Sequence, residues 1–187
     1  NYYGIDCLIA SPGVTSATAA YRPHLLYTGD YAVDVWYPQT TFSPAQFTSS
    51  QVPVRVVSDL GTTAIALNQQ VGDGTWVRLG VFPFTSGLTG AVFIGGAPDK
   101  TARADAVRFS PVPTLTSPAI ASSATVSGTT VGLSAAGVFQ GSGSGLSYTW
   151  SVVAAPAGGT ASFSANGTTG ATTTTATVNR AGAYIFR

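Results

Sequence analysis

Apolar and other residues alternate at every second position over long parts of the chain. The clearest row covers residues 31–37, with Tyr, Val, Val and Tyr at the odd positions and Ala, Asp and Trp between them. Further rows are Val52, Val54 and Val56; Ile65 and Leu67; Val77, Leu79 and Val81; Val92 and Ile94; and residues 103–109. Successive side chains of a strand point to opposite faces, so these rows predict short strands with one face in a core.

Turn-forming residues separate the rows, at 28–30, 59–61, 72–74, 87 and 95–99. Each of these segments contains Gly, and most add Asp, which suits tight reversals of the chain. Short strands at this spacing favour an antiparallel sandwich of the jelly-roll type.

The second half of the chain shows the same pattern. It predicts strands at 123–126, 130–133, 146–152, 161–163, 174–178 and 183–186, with turns at 141–145 and 165–167. Strict alternation over 146–152 directs Trp150 into a core. No apolar stripe has helical spacing, so we expect an all-β protein of two antiparallel β-sandwiches.

Charge divides the chain into two parts. Of its 15 charged residues, 13 lie between Asp6 and Arg108, and none lies in 109–179. Three prolines follow this change, at 111, 113 and 118. We therefore predict a first domain over 1–110, a semi-rigid Pro-rich linker over 111–118 and a second domain over 119–187.

Composition narrows the possible functions. The net charge is +1 and Lys100 is the single lysine, which argues against nucleic acid as a partner. No apolar run reaches the 18 or so residues of a membrane span. Residue 1 is Asn rather than Met, so we expect a processed chain or part of a longer one.

Reactive side chains are too sparse for an active site. Asp34 and Asp105 are candidates for a carboxylate pair, but a strand Asp more often pairs with Arg, and Arg78, Arg103 and Arg108 are available. His24 and Cys7 are the only residues of their types, which excludes a zinc set. We predict no enzyme, no cofactor and no metal. Cys7 is interpreted as a small buried hydrophobe, with pairing between molecules as the alternative.

Aromatic residues supply the remaining candidate site. Sugars stack their C–H faces on Trp and Tyr rings, and the candidates for such a carbohydrate-binding platform are Trp36, Trp76, Tyr2, Tyr3 and Tyr27. The alternative places Trp36 and Trp76 in the core, and we favour it for these two residues.

Residues 2–109 resemble the golvesin C-terminal-like domain, also called the xanthan-lyase carbohydrate-binding-like domain. The matching stretches are 16–19 (SATA), 30–38 (DYAVDVWYP), 67–70 (LNQQ), 74–82 (GTWVRLGVF) and 104–109 (ADAVRF). The resemblance implies a jelly-roll sandwich attached to secreted bacterial enzymes or surface proteins. The motifs of this family contain both Trp36 and Trp76.

Residues 118–187 resemble a bacterial immunoglobulin-like domain of the polycystic-kidney-disease or cadherin-like sort. The stretches are 146–150 (LSYTW), 159–163 (GTASF), 176–178 (ATV) and 181–187 (AGAYIFR). The family implies one more strand after the last of these. We expect an immunoglobulin-like domain that lacks its last strand, either because the sequence is a fragment, which we favour, or because a neighbouring subunit donates a strand.

Two functions remain open at this point. The first is a non-catalytic module pair of a secreted or cell-surface bacterial protein, acting in adhesion, carbohydrate binding or as a spacer. The second is a structural subunit of an extracellular filament, sheath or surface layer, with copies of the chain joined by strand exchange. The partner would be a polysaccharide in the first case and the chain itself in the second.

Overall fold

The computed structural model describes residues 7–39, 44–140 and 145–187 and shows an all-β protein. The chain divides into two compact units, Asn1–Val112 and Pro113–Arg187. Every ladder between the described strands is antiparallel, and each unit is a β-sandwich. The expected all-β fold class is therefore confirmed.

The described part of the first unit contains nine strands and one helical turn. The strands are β1 (Leu8–Ala10), β2 (Thr18–Tyr21), β3 (Gly29–Trp36), β4 (Val52–Ser58), β5 (Gly61–Leu67), β6 (Trp76–Phe84), β7 (Ala91–Gly95), β8 (Ala102–Ala104) and β9 (Ala106–Pro111), with α1 at Pro44–Phe47. They form a four-stranded sheet β2-β7-β4-β5, a three-stranded sheet β6-β3-β9 and a small pair β1-β8.

The core of the first unit lies between its two larger sheets. β3 contributes Val33 and Val35, and β4 contributes Val54, all of them almost fully buried. Further members include Phe84 of β6 and Val92 of β7, which are buried as well. The apolar residues of the two sheets thus pack against each other, and their removal from water stabilises the sandwich.

One strand departs from the regular alternation. The register of β3 against β6 shifts between Val33 and Asp34, so that Val33 faces Gly80 and Asp34 faces Arg78. Leu79 is the extra residue of this bulge. The predicted row Val77, Leu79 and Val81 is therefore wrong at its end, because the bulge turns Val81 outward, where it is 52% exposed.

The predicted linker over 111–118 is also shorter in the structure. Pro111 ends β9, and the next strand, β10, begins at Thr114. Pro118 lies inside β10, which is an edge strand of its sheet. Proline has no N–H to donate to a neighbouring strand, and an edge strand tolerates it because one of its sides has no neighbour. The register of β10 shifts between Ser117 and Ile120, on either side of this proline.

The described part of the second unit has six strands: β10 (Thr114–Ala121), β11 (Thr130–Val138), β12 (Val152–Ala154), β13 (Ala161–Phe163), β14 (Thr173–Val178) and β15 (Ile185–Phe186). β10-β11-β14-β13 form one sheet and β12-β15 form the other. Their shared core centres on Leu133, Trp150, Ala171 and Ala176. No strand forms at 123–126, where the sequence predicts one.

Trp150 is buried as predicted, although the strand expected over 146–152 is mostly irregular. The side chain of Asn166 replaces a neighbouring strand, since its Oδ1 accepts from Trp150 N and its Nδ2 donates to Trp150 O. The indole Nε1 donates to the carbonyl of Ala171 at 2.7 Å. These bonds satisfy the buried polar groups around the ring without a regular ladder.

The stability of the first sandwich should depend on pH through Tyr37. Burial, and secondarily the charge of Asp73, raise the pKa of Tyr37 to about 12. Its hydroxyl donates to the carbonyl of Val71. Above pH 10 the unfolded chain loses this proton while the folded chain keeps it, so the free energy of unfolding should fall as pH rises from 10 to 12. Urea unfolding followed by tryptophan fluorescence at pH 9–12 measures this.

Tyr37→Phe should make the decline between pH 10 and 12 shallower, at the cost of a hydrogen bond at neutral pH. Tyr27→Phe, at an exposed tyrosine, is the control for removing a hydroxyl from the surface. An unchanged decline in Tyr37→Phe would show that Tyr37 does not carry the effect.

Candidate functional site

The side of the sheet β6-β3-β9 that faces away from the core carries charged and aromatic side chains. Because Tyr31, Val33 and Val35 face the core, Asp34 and Trp36 point away from it. We call the set Asp34, Trp36, Trp76, Arg78, Ala106 and Arg108 the outer face.

A row of charges crosses this face. Asp34, on the central strand, lies opposite Arg78 on β6 and opposite Arg108 on β9. Arg78 Nε donates to Asp34 Oδ1 at 2.5 Å, and Arg108 donates to Oδ2 through Nη2 at 3.0 Å and Nε at 3.2 Å. The side chain of Asp34 is only 3% exposed, whereas those of Arg78 and Arg108 are 52% and 45% exposed.

An aromatic row lies beside the charged row. Trp36 faces Trp76 across the strands, and their rings meet edge to face with centroids 5.7 Å apart. The guanidinium of Arg108 lies over the Trp76 ring, 4.5 Å from its centroid. Both tryptophans are half-buried and belong to neither core cluster. The favoured core assignment for Trp36 and Trp76 is therefore wrong, because these positions have the parity of the outer face.

The other predicted aromatic residues do not join this site. Tyr27 precedes β3, whose Gly29 end lies about 23 Å from Trp36 at roughly 3.3 Å per residue over seven residues. Its ring is 43% exposed, and its carbonyl accepts a hydrogen bond from Tyr31. Tyr2 and Tyr3 lie outside the described residues.

The candidate carboxylate pair is not assembled. Both oxygens of Asp34 are occupied by arginines, as the sequence led us to expect. Asp105 lies near Tyr21 instead. Burial raises the pKa of Tyr21 to about 12, and the charges of Asp105 and then Cys7 contribute to this rise. Within the described ranges, no three His, Cys, Asp or Glu side chains are grouped as metal ligands would be.

The sequence named Arg78 and Arg108 only as partners for a buried acid. Their half-exposed guanidinium groups make them part of the candidate binding surface as well. Each occupies a strand position that an apolar residue could fill, and each lies between apolar neighbours. A charged residue between two apolar ones is therefore the sequence signal for an exposed arginine on a strand. The meeting of both arginines at Asp34, however, depends on the register of three strands.

The first unit matches a known protein family. The family model of the golvesin C-terminal domain matches residues 1–111. The chain belongs to the golvesin C-terminal domain family. All residues of the outer face lie within the matched part.

Two relatives extend the comparison to a named enzyme. A xanthan lyase of Bacillus sp. (strain GL1) is 35% identical over 105 residues, which are 54% of this chain and 10% of that protein. The 2.6 Å structure of a Paenibacillus xanthan lyase matches with a TM-score of 0.53 at 29% identity, over 59% of this chain and 10% of that one. The chain thus spans about a tenth of the length of these relatives.

Replacing Asp34 tests how much the charged row stabilises the fold. Asp34→Asn keeps the shape of the side chain but leaves two facing guanidiniums without their shared anion. We expect the free energy of unfolding to fall by about 1–3 kcal/mol, at the lower end if the half-exposed arginines turn to water. Chemical denaturation measures this loss.

The matched control is Asp59→Asn, at an exposed carboxylate that accepts a hydrogen bond from Thr85. It should change stability by less than about 0.5 kcal/mol. Equal losses in the two variants would contradict a special role for the charged row.

Proposed function

We propose that the first unit is a non-catalytic carbohydrate-binding module and that its outer face is the binding surface. The observation that carries this proposal is the meeting of two half-buried tryptophans and two half-exposed arginines on one sheet face. Polysaccharide is the partner class that suits such a surface.

The chemistry of sugars matches both rows of the outer face. A pyranose ring presents apolar C–H groups, which gain by contact with an aromatic surface such as Trp76. Its hydroxyl groups accept hydrogen bonds from guanidinium donors, which the arginines offer at fixed positions. A sheet face is open along its strands, so an extended chain can lie across it.

The non-catalytic assignment rests on what the acidic residues do. Asp34 is held by two guanidiniums, and Asp105 lies near Tyr21 instead of facing Asp34. Hydrolysis of a glycosidic bond usually requires two carboxylates, one on either side of the bond. The outer face therefore offers recognition without a paired acid and base.

We further propose that the module acts outside the cell or at the cell surface. The similarity to a protein named xanthan lyase supports this location, because a polysaccharide is too large a molecule to cross a membrane. No helix among the described residues is long and apolar enough to span a membrane. Adhesion and spacing between domains are further roles that such a module can serve.

Polysaccharide binding should depend on Trp76. Trp76→Ala removes the ring and the surface on which Arg108 lies, and we expect affinity for a bound polysaccharide to fall by roughly tenfold or more. Affinity electrophoresis through gels that contain single polysaccharides measures this, after circular dichroism has shown that the variant folds.

Tyr27→Ala is the matched control, because Tyr27 is an exposed aromatic residue beyond the far end of β3. It should leave affinity unchanged. Equal losses for the two variants, or binding by neither variant nor the original chain to any polysaccharide tested, would count against the proposal.

For the second unit we propose an immunoglobulin-like assignment. Its sheet order β10-β11-β14-β13 corresponds to the A-B-E-D order of constant-type immunoglobulin domains, and β12-β15 corresponds to strands C and F. Trp150 then takes the place of the core tryptophan near strand C.

A groove beside β15 favours a second candidate function, a structural subunit joined to its copies by strand exchange. A groove of about 590 Å³ lies beside β15, and its lining includes Val126, Val131, Tyr184 and Phe186. Unpaired strand edges accept strands from other chains, and few charges are present to oppose association. A second copy would donate the added strand.

Self-association through β15 should show as a concentration-dependent mass in analytical ultracentrifugation. Ile185 is exposed on β15, and Ile185→Lys should weaken the association, because lysine protects strand edges. Leu60→Lys, in an exposed turn of the first unit, makes the same chemical change away from β15 and should have no effect. A monomer at every concentration would contradict strand exchange.

A further inference from the structure

The charged row of the outer face has more positive than negative groups. Two guanidiniums share one carboxylate, so the row carries a formal excess of one positive charge. The other acidic residue of these strands is Asp30, four residues from Asp34 along β3 and so about 13 Å away at roughly 3.3 Å per residue. At physiological ionic strength that exceeds the Debye length of about 8 Å.

Acidic residues just outside the strands act on other parts of the unit. Asp73 contributes to the raised pKa of Tyr37, and Asp105 contributes to that of Tyr21. Tyr37 belongs to the core cluster and Tyr21 packs against it. Among the described residues, Asp34 is the ion-pair partner of both Arg78 and Arg108, so the row keeps its excess positive charge.

Hydrogen-bond donors remain on both arginines after Asp34 is satisfied. Arg78 uses its Nε for Asp34, which leaves both terminal nitrogens, Nη1 and Nη2. Arg108 uses Nε and Nη2, which leaves Nη1. A guanidinium that presents two adjacent N–H groups fits the two oxygens of a carboxylate, a geometry that a sugar hydroxyl cannot match.

Both arginines are held in place before any ligand arrives. The almost fully buried carboxylate of Asp34 binds both of them, and the guanidinium of Arg108 also lies over the ring of Trp76. Fixed side chains lose less conformational entropy on binding than free ones do. The exposed halves of the guanidiniums are thus preorganised donors for an anion.

We propose that the outer face selects polysaccharides that carry carboxylate groups. Arg78 receives the carboxylate through its two terminal nitrogens, Arg108 adds a second charge, and the sugar ring lies against the tryptophan row. This inference rests on the proposed carbohydrate-binding function and names the ligand class of the same surface.

The test compares one polymer with and without its charge. Polygalacturonate and its highly methyl-esterified form share a backbone, and they differ in whether the carboxylate is ionised. We expect the acid form to bind the full chain roughly tenfold or more tightly in isothermal titration calorimetry, and the difference to shrink as salt is raised. Arg78→Gln should remove most of the difference, and Arg78→Lys should restore part of it.

Arg55→Gln is the control variant, because it removes the same charge from the other sheet, where Arg55 lies over Phe93. It should keep the preference for the acid form. Unfolding curves establish that each variant is folded.

The outcomes separate this inference from the function on which it rests. Equal binding of acid and ester, sensitive to Trp76→Ala, would overturn the carboxylate preference and leave carbohydrate binding in place. Binding of dextran sulfate as tight as that of polygalacturonate would also overturn it, by showing attraction to charge of any kind. If neither these polymers nor neutral dextran binds, both proposals fail.

Discussion

The ion-paired carboxylate of Asp34 is the constraint on which the first unit depends. A carboxylate that is nearly removed from water must be paired, and Asp34 is paired on both sides, by Arg78 from β6 and by Arg108 from β9. This arrangement fits only one register of the three strands. The same register places Trp36 beside Trp76 and Arg108 over the Trp76 ring. Structural pairing and the surface that we assign to binding are therefore products of one interaction.

The two faces of β3 have different roles. One face contributes Val33 and Val35 to the apolar core, and the other holds the charged and aromatic rows. The core fixes the position of the strand, and a binding group on a fixed strand is more precisely placed than one on a loop. Membership of the golvesin C-terminal domain family covers this whole sandwich.

The described part of the second unit has fewer regular strands than that of the first. Trp150 is buried in its core, yet the chain around it is held by the side-chain amide of Asn166 and not by a continuous ladder. The sequence around Asn166 reads as a glycosylation signal, Asn-Gly-Thr, but the structure gives that amide a role in the fold. The groove beside β15 is the feature of this unit to which we assign a partner in the proposal of strand exchange.

The sequence by itself determined the all-β class, the parity of β3 and β4 and the burial of Trp150, because side chains alternate across a strand and apolar ones seek the core. It also indicated that Asp34 would pair with arginine. Only the tertiary structure decided that the bulge at Leu79 turns Val81 outward and sets Arg78 opposite Asp34. It likewise decided that Pro118 lies in an edge strand and not in a linker, and that Trp36 and Trp76 lie outside the core. Register and edge position depend on residues far apart in the chain, and local alternation carries no information about which strands will meet.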